Sequence, residues 1–288
     1  MVVVMALGSA LFYAAAAVLQ HRSAAEAPAE ECLRPTLLVR LFRHPIWLLG
    51  IAADLAGLVL QFWALGHGPM SLVQPLLVSG LLFALPMGAL AARRRIPVGD
   101  LVGAAAIVVG LGLFLGVARP GAGRAASGMA WAFTAACVAV PTAAIAGSVA
   151  TGRPLARNKA PALAVAAGIT YGFAAALVEA TAHLVEHHGY LHALASWQPY
   201  ALLIAGAVTL LLAQSAFQAG PLADSLPLLT VVDPVVSVLI GGVLLRESIA
   251  HSAGAVLLEV VGAAIMTAGI MIDGRSELLE ASSAAEPA

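Results

Sequence analysis

The chain has 288 residues, of which 61% are hydrophobic and 10% are Asp, Glu, Lys or Arg, whereas an average soluble domain has about 25% charged residues. So few charges cannot cover the surface of a soluble fold of this length, and the net charge of −1 gives no basic field that would hold a polyanion. Composition therefore excludes a cytosolic enzyme and a nucleic-acid-binding protein, and it predicts a polytopic membrane protein.

Nine apolar stretches have the length that a membrane-crossing helix needs, roughly 20 residues. The sequence therefore predicts an all-α bundle of about nine transmembrane helices. Span 1 is expected to be retained rather than cleaved as a signal peptide, because it contains no Lys or Arg that would form a positive n-region. In chain order the predicted spans are 1–20, 45–66, 70–91, 98–118, 127–150, 161–184, 197–217, 221–245 and 251–272.

The distribution of Lys and Arg predicts the orientation of these spans, because cytoplasmic loops carry an excess of both. With the N-terminus outside, eleven Lys and Arg residues lie inside and three lie outside. We therefore expect a multi-pass protein of the cell membrane with a cytoplasmic C-terminus. The charged segment 23–43 is too short to span the membrane, and its apolar patch at 37–39 predicts a helix on the inner surface. The tail, 273–288, is predicted to be disordered.

The chain contains an internal repeat. Spans 1–4 (1–118) resemble spans 6–9 (161–272), and span 5 with an inner loop (119–160) stands between them. Five spans separate the two copies, and because five is odd the copies are inverted, as is typical of alternating-access transporters. The alternative is coincidence, since Gly-Pro links recur in helix bundles. The matched pairs are Pro69/Pro221, Pro75/Pro227 and Gly110/Gly262 at an offset of 152, and Gln61/Gln214 at 153.

Two segments resemble a transporter family. Residues 234–247 read PVVSVLIGGVLLRE and precede a glycine-rich last span, which resembles the EamA-like repeat of the drug/metabolite transporter superfamily. Residues 64–76 read ALGHGPMSLVQPL and resemble a stretch of its NIPA-type magnesium transporter branch, which nine spans also fit. The first copy departs from the pattern, because it has Arg95 but no glutamate that matches Glu247. The resemblance implies solute transport, with Mg²⁺ as one candidate substrate.

Four acidic residues lie within the predicted spans, beyond the first turn, without a Lys or Arg beside them. Asp54 and Asp233 lie midway along spans 2 and 8, whereas Glu259 and Glu179 lie toward the outer side of spans 9 and 6. A charged side chain at the bilayer centre costs about 2.5–3.5 kcal/mol on insertion scales. These acids are therefore protonated, or they meet a cation or a cationic substrate. The structural alternative is a protonated acid bonded to a carbonyl that a neighbouring proline has freed.

Helical spacing groups further polar residues with these acids. Asp54 and Gln61 are seven residues apart and share a helix face, while Thr230 and Ser237 flank Asp233 in one stripe. Prolines remove backbone hydrogen bonds, and the carbonyls they free at mid-membrane are candidate cation ligands. The predicted transport path comprises Asp54, Gln61, Gln74, Gln214, Thr230, Asp233, Ser237 and Glu259, with Pro75, Pro227 and Pro234 as kinks.

Four of the eight histidines lie within ten residues at the outer end of span 6. Residues 183–187 match the H-x-x-E-H protease pattern, but no distal ligand is evident, so a zinc protease is not expected. A transition-metal or pH-sensing site and a solvated surface cluster are the alternatives. The residues concerned are Glu179, His183, Glu186, His187, His188 and His192.

Three functions remain open. The first is a secondary transporter of a small solute, coupled to protons or cations, whose two repeats rock about a midplane site near Asp54 and Asp233. The second is a NIPA-like transporter of Mg²⁺ or another divalent cation, which prefers oxygen ligands. The third, a non-transporting membrane protein or membrane enzyme, ranks last because the sequence has no nucleophile–base set or phosphate loop. We expect no enzyme activity, no resident cofactor and no nucleic-acid partner. The partners are the solute or cation and the lipid bilayer, and the chain is a monomer or a homodimer.

Overall fold

The computed structural model describes residues 1–67, 73, 76–91, 93, 98–117, 127–152, 158–244, 257, 258, 260–269 and 272. These residues form helices joined by short turns, with no strand among them, so the all-α prediction is confirmed for this part of the chain. The helices are α1 (Val2–Ala25), α2 (Pro35–Leu41), α3 (Pro45–His67), α4 (Gly80–Ala91), α5 (Val98–Val117), α6 (Gly128–Ala150), α7 (Lys159–His188), α8 (Tyr190–Ala195), α9 (Gln198–Ala219), α10 (Leu222–Leu244) and α11 (Val260–Gly269).

Four helices are long and apolar enough to cross a membrane. They are α1, α6, α9 and the Lys159–Val178 part of α7. A fifth is added if α2 and the Pro45–Gln61 part of α3, which meet at 88°, count as one broken span. Several apolar helices of this length are compatible with a membrane protein. The count of nine spans, the orientation and the identity of the membrane remain predictions.

The segment between α1 and α3 is partly helical, as the sequence predicted. A single 3₁₀ turn, Ala29–Glu31, precedes α2, and prolines begin both α2 and α3, where a missing N–H costs nothing. Leu37 and Leu41 of α2 are buried against the bundle, whereas Val39 and Phe42 are more than half exposed. This short helix therefore covers one end of the bundle with one face and presents apolar side chains outward with the other.

The two predicted repeats pack in corresponding ways. In the first half (residues 1–118) α1 lies against both α3 and α4, and in the second half (residues 161–272) α7 lies against both α9 and α10. Helix α6, which belongs to neither half, packs mainly against α7 and leaves an open apolar groove of about 850 Å³ towards α9. The central helices α1 and α7 therefore organise one half each.

Helices α5 and α11 cross at glycines. A Cβ atom on Gly110 would lie 2.6 Å from the carbonyl oxygen of Gly262, and one on Gly262 would lie 2.6 Å from that of Gly110. Further along, a Cβ atom on Gly269 would lie 2.7 Å from the carbonyl oxygen of Gly103. Residue numbers rise along one helix as they fall along the other, so the two helices are antiparallel. Only glycine permits so close a backbone approach.

Candidate functional site

The first part of the candidate site lies where α1 and α3 are in contact. Gln20 on α1 donates a hydrogen bond from Nε2 to Oδ2 of Asp54 at 2.5 Å. About two helical turns away along the same interface, the hydroxyl of Tyr13 donates a hydrogen bond to Oε1 of Gln61 at 2.7 Å. Asp54 and Gln61 therefore both face α1, as expected for residues seven apart on one helix.

Small residues bring these two helices close together. The hydroxyl of Ser9 donates to the backbone carbonyl of Gly57 at 2.7 Å, and the Ser9 side chain is fully buried. A Cβ atom on Gly57 would lie 3.1 Å from the ring of Tyr13. Serine and glycine at such positions are typical of close helix packing in membranes. The close approach holds Tyr13 and Gln20 against the polar face of α3.

A residue of the second half completes this group. Gln214 on α9 donates from Nε2 to Oε1 of Gln20 at 2.7 Å and accepts a hydrogen bond from Nε1 of Trp47 at 3.1 Å. Gln214 is 1% exposed and Trp47 is fully buried. The predicted path residue Gln214 is therefore connected, through Gln20, to the predicted path residue Asp54.

The second part of the site lies on α10, where it passes α7. Ser237 donates from its hydroxyl to Oδ1 of Asp233 at 3.3 Å, and Thr230 donates to the carbonyl of Leu226 at 2.8 Å. On α7, a Cβ atom on Gly168 would lie 2.7 Å from Cβ of Val232. Asp233, in the middle of the predicted polar stripe of α10, is thus the residue next to a close crossing with α7.

The prolines of α10 lie within an unbroken helix. Pro227 and Pro234 are both inside Leu222–Leu244. A proline lacks the N–H that would bond the carbonyl four residues earlier, so the carbonyls of Ala223 and Thr230 lose their usual partners. The Thr230 carbonyl lies one turn from the Asp233 carboxyl. This part of α10 therefore offers two kinds of oxygen to a ligand.

The two carboxyls share an electrostatic neighbour. Tyr171 on α7 is close enough to Asp54 and to Asp233 to interact with both. The ion pairs described in the structure lie elsewhere, in the segment that joins α1 to α3: Arg22–Glu26, Arg40–Glu31 and His44–Glu26. Within the described residues, the side chains that bond Asp54 and Asp233 are thus neutral.

Groups in the same joining segment have shifted pKa values. Arg40 donates three hydrogen bonds to the Glu31 carboxylate and so holds its pKa below the ordinary value. Burial raises the pKa of the Cys32 thiol, although Ser215 and Lys159 oppose that rise. Cys32 is half-buried beside α9, since the neighbouring Leu33 amide donates to the hydroxyl of Ser215 at 3.0 Å.

Several sequence candidates lie outside the described residues. These are Gln74, Pro75 and Glu259, together with the predicted tail 273–288. Of the histidine-rich segment, His187, His188 and His192 are exposed, and the rings of His188 and His192 stack at 5.0 Å. In the part of the chain that the structure describes, no three His, Cys, Asp or Glu side chains are grouped as a metal site would need. The side chains of Glu179, His183 and Glu186 are not among those described.

Sequence reasoning missed four residues that interact with the carboxyls or with other path residues. Gln20 bonds Asp54, Tyr13 bonds Gln61, Trp47 bonds Gln214, and Tyr171 interacts with both carboxyls. Gln20 had a signal, since it is a polar residue at the end of an otherwise apolar span. Tyr and Trp carry no such signal, because both are ordinary in membrane helices.

Comparison with known proteins gives one informative likeness. The chain is 29% identical over 252 residues to an uncharacterized protein of Corynebacterium glutamicum, and the match covers 85% of this chain and 84% of that protein. No protein-family model matches the chain. No solved structure matches it. The chain is thus similar over most of its length to a bacterial protein of similar size.

Proposed function

We propose that the chain is an integral membrane transporter that moves a small solute by alternating access, coupled to protons or cations. The observation that carries this proposal is the pair Asp54 and Asp233. Each carboxyl lies midway along an apolar helix and is hydrogen-bonded to a neutral side chain, Gln20 or Ser237. Carboxyls in such surroundings mark ion or substrate pathways in membrane proteins.

Alternating access requires two halves that move against each other, and the packing supports an inverted repeat. The repeat pair Gly110 and Gly262 are in contact, and the helices that carry them are antiparallel. Repeat partners that meet on an axis in the membrane plane run antiparallel, whereas those of a parallel repeat do not. This supports nine spans in the order four, one and four, and the distribution of Lys and Arg favours an outside N-terminus and a cytoplasmic C-terminus.

The site favours a cation over an anion. Its described groups are two carboxyls, the hydroxyls of Thr230 and Ser237, and backbone carbonyls that prolines have freed. Hard oxygen ligands of this kind suit a proton, a metal cation or an organic cation. The second candidate function, transport of Mg²⁺ or another divalent cation, rests on this same oxygen-rich set and on the resemblance of residues 64–76 to the NIPA-type branch.

The test is uptake into proteoliposomes that contain the purified protein. One arm measures Mg²⁺ uptake with an internal indicator, and a second measures ethidium uptake under a proton gradient. Asp233→Asn is compared with Asp224→Asn, which makes the same change on the same helix but in its first turn. We expect Asp233→Asn to lower uptake at least about tenfold, since a positioned carboxylate is lost, and Asp224→Asn to leave it near the parental rate.

Each result decides between the alternatives. Mg²⁺ uptake that Asp233→Asn abolishes supports the divalent-cation transporter. Ethidium uptake with the same dependence supports an organic-cation transporter. Uptake that is equal in both variants refutes the assignment of Asp233 to the path. No uptake of either probe by well-folded protein argues against cation transport and favours the non-transporting alternative.

A further inference from the structure

The hydrogen bonds between the two halves are concentrated at one end of the bundle. Those that the structure describes connect residues 20–47 of the first half with residues 214–220 of the second. Besides the bonds of Gln214, they include His21 to the Gly220 carbonyl and Gln218 to the carbonyls of Ala27 and Pro28. These are the described hydrogen bonds that must break if the two halves separate at this end.

Three of these residues form, together with Asp54, a continuous series of hydrogen bonds, which we call the amide chain: Trp47, Gln214, Gln20 and Asp54. It crosses between the halves twice, because Gln214 lies between Trp47 and Gln20 of the other half. Its three bonds measure 3.1, 2.7 and 2.5 Å in that order. Trp47, Gln214 and Gln20 are all buried, so water does not compete with these bonds.

The amide chain has a fixed direction. The indole of Trp47 can only donate, so Gln214 must present its oxygen to Trp47 and its nitrogen to Gln20. Gln20 must then present its oxygen to Gln214 and its nitrogen to Asp54. Asp54 is left as an acceptor, since a reversed chain would require Trp47 to accept. A proton or a cation at Asp54 removes the charge of this acceptor and therefore weakens the last bond.

Few other charged or titratable groups act on Asp54. Tyr13 on α1 and Tyr171 on α7 interact with it, and Tyr171 also interacts with Asp233 on α10. His21, the next titratable group on α1, is bonded to the Gly220 carbonyl instead. Arg22 pairs with Glu26 beyond the end of the interface. Among the described groups, Gln20 is thus the donor that competes with an arriving proton or cation.

We infer that the amide chain makes the contact between the two halves depend on the occupancy of Asp54. With Asp54 ionised and empty, the chain is complete and this end stays closed. When a proton or cation occupies Asp54, Gln20 no longer donates to a charged acceptor, so this bond and the bond to Gln214 weaken, and the halves separate at this end. The inference rests on the proposed transport function, to which it adds the means by which site occupancy controls opening.

Cys32 reports this separation without any knowledge of the substrate. It is half-buried beside α9, next to Leu33, whose amide bonds Ser215, the neighbour of Gln214. Replacing Cys137, the other cysteine, with Ala leaves Cys32 as the single thiol. The rate at which maleimide labels Cys32 in purified full-length protein in detergent then measures how often this end opens.

Two variants test the chain. Asp54→Asn keeps the shape but removes the charge, and Gln214→Glu keeps the shape but cannot donate to Gln20 when ionised. We expect each to label about tenfold faster than the parent, because Asp54→Asn exchanges a charged acceptor for a neutral one and Gln214→Glu loses one neutral bond. The double variant should label no faster than either single one. The matched control is Gln218→Leu, which removes bonds between the halves outside the chain, and its effect should add to that of Asp54→Asn.

The pH dependence of Cys32 labelling distinguishes an effect of Asp54 occupancy from a general loosening of the contact between the halves. The labelling rate of Asp54→Asn divided by that of the parent cancels the titration of the Cys32 thiol. We expect this ratio to be about ten at alkaline pH, where the parental carboxyl is ionised, and to fall towards one as the pH is lowered and that carboxyl also becomes neutral. A ratio that does not change with pH, or additive effects of Asp54→Asn and Gln214→Glu, would refute the inference.

The outcome is independent of the transport assay. The expected labelling without uptake of any probe would support the amide chain and refute transport of those probes. Uptake that depends on Asp233, with a constant labelling ratio, would support transport and refute the amide chain.

Discussion

Replacing Gly172 with Ala tests the close packing that positions Asp233. A Cβ atom there would lie 2.8 Å from Cβ of Val236 and 2.9 Å from the backbone nitrogen of Ser237. Carbon atoms in favourable contact are about 3.5–4.0 Å apart. Because one of the obstructing atoms is backbone, a change of side-chain rotamer cannot relieve the contact, and α10 itself must move.

The magnitude follows from a comparison with Gly206, which has no atom within 4 Å of a Cβ position. Gly206→Ala should gain about 0.5–1 kcal/mol from helix propensity. Gly172→Ala has the same gain but loses about 1–3 kcal/mol to overpacking. The two variants should therefore differ by about 1–3 kcal/mol in the free energy of unfolding. At about 2–4 °C per kcal/mol, the midpoint of Gly172→Ala should lie several degrees lower.

The assay is thermal unfolding of both variants in the same detergent, followed by intrinsic fluorescence. Uptake into proteoliposomes is measured in parallel, because movement of α10 displaces Asp233. Equal unfolding midpoints for Gly172→Ala and Gly206→Ala would refute the packing argument. A lowered midpoint with unchanged uptake would uphold the packing and contradict the claim that it positions Asp233.

Three further outcomes are expected. Ser9→Ala removes the hydrogen bond to the Gly57 carbonyl. It should lower the free energy of unfolding by about 0.6 kcal/mol, the mean for such bonds in membrane helices. An unchanged midpoint of thermal unfolding would show that this bond contributes nothing. Gly110→Ala should cost about 1–3 kcal/mol through its contact with backbone, and wild-type stability would contradict the described crossing. Burial raises the pKa of Cys32, and Lys159 opposes that rise. Lys159→Met should therefore move the pH dependence of maleimide labelling at Cys32 to higher pH. A shift to lower pH would refute the assignment of this effect to Lys159.

The helices could be located from hydropathy because each is a continuous apolar stretch. The predicted spans 45–66 and 197–217, for example, differ by at most two residues at either end from the helices Pro45–His67 and Gln198–Ala219. The sharp angle between α2 and α3 was less accessible, since Pro45 signals a break but not its direction. Local sequence determines where a helix ends, whereas packing determines where the next one points.

The partners of polar residues could not be predicted in the same way. Gln20 and Gln214 are 194 residues apart, and their contact depends on how the two halves pack. The G-x-x-x-G pattern at Gly168 and Gly172 was present in the sequence, but the pattern alone does not say which helix it meets. The structure shows that the partner of this pattern is α10, which contacts both glycines.

The crossing of α5 and α11 has the form of an isologous interface, in which residue i meets residue j and j meets i, as in a twofold homodimer. Here both surfaces belong to one chain, so covalent linkage replaces subunit concentration in holding them together. Because the two surfaces lie at different positions of one chain, their sequences need not be identical. A homodimer would carry every acidic side chain twice, whereas in this chain Leu81 stands at the repeat position of Asp233 and Ala207 at that of Asp54. Under the proposed inverted repeat, fusion would allow a symmetric scaffold to hold one carboxyl in each half at unrelated positions, so that the two ends of the proposed pathway need not be chemically alike.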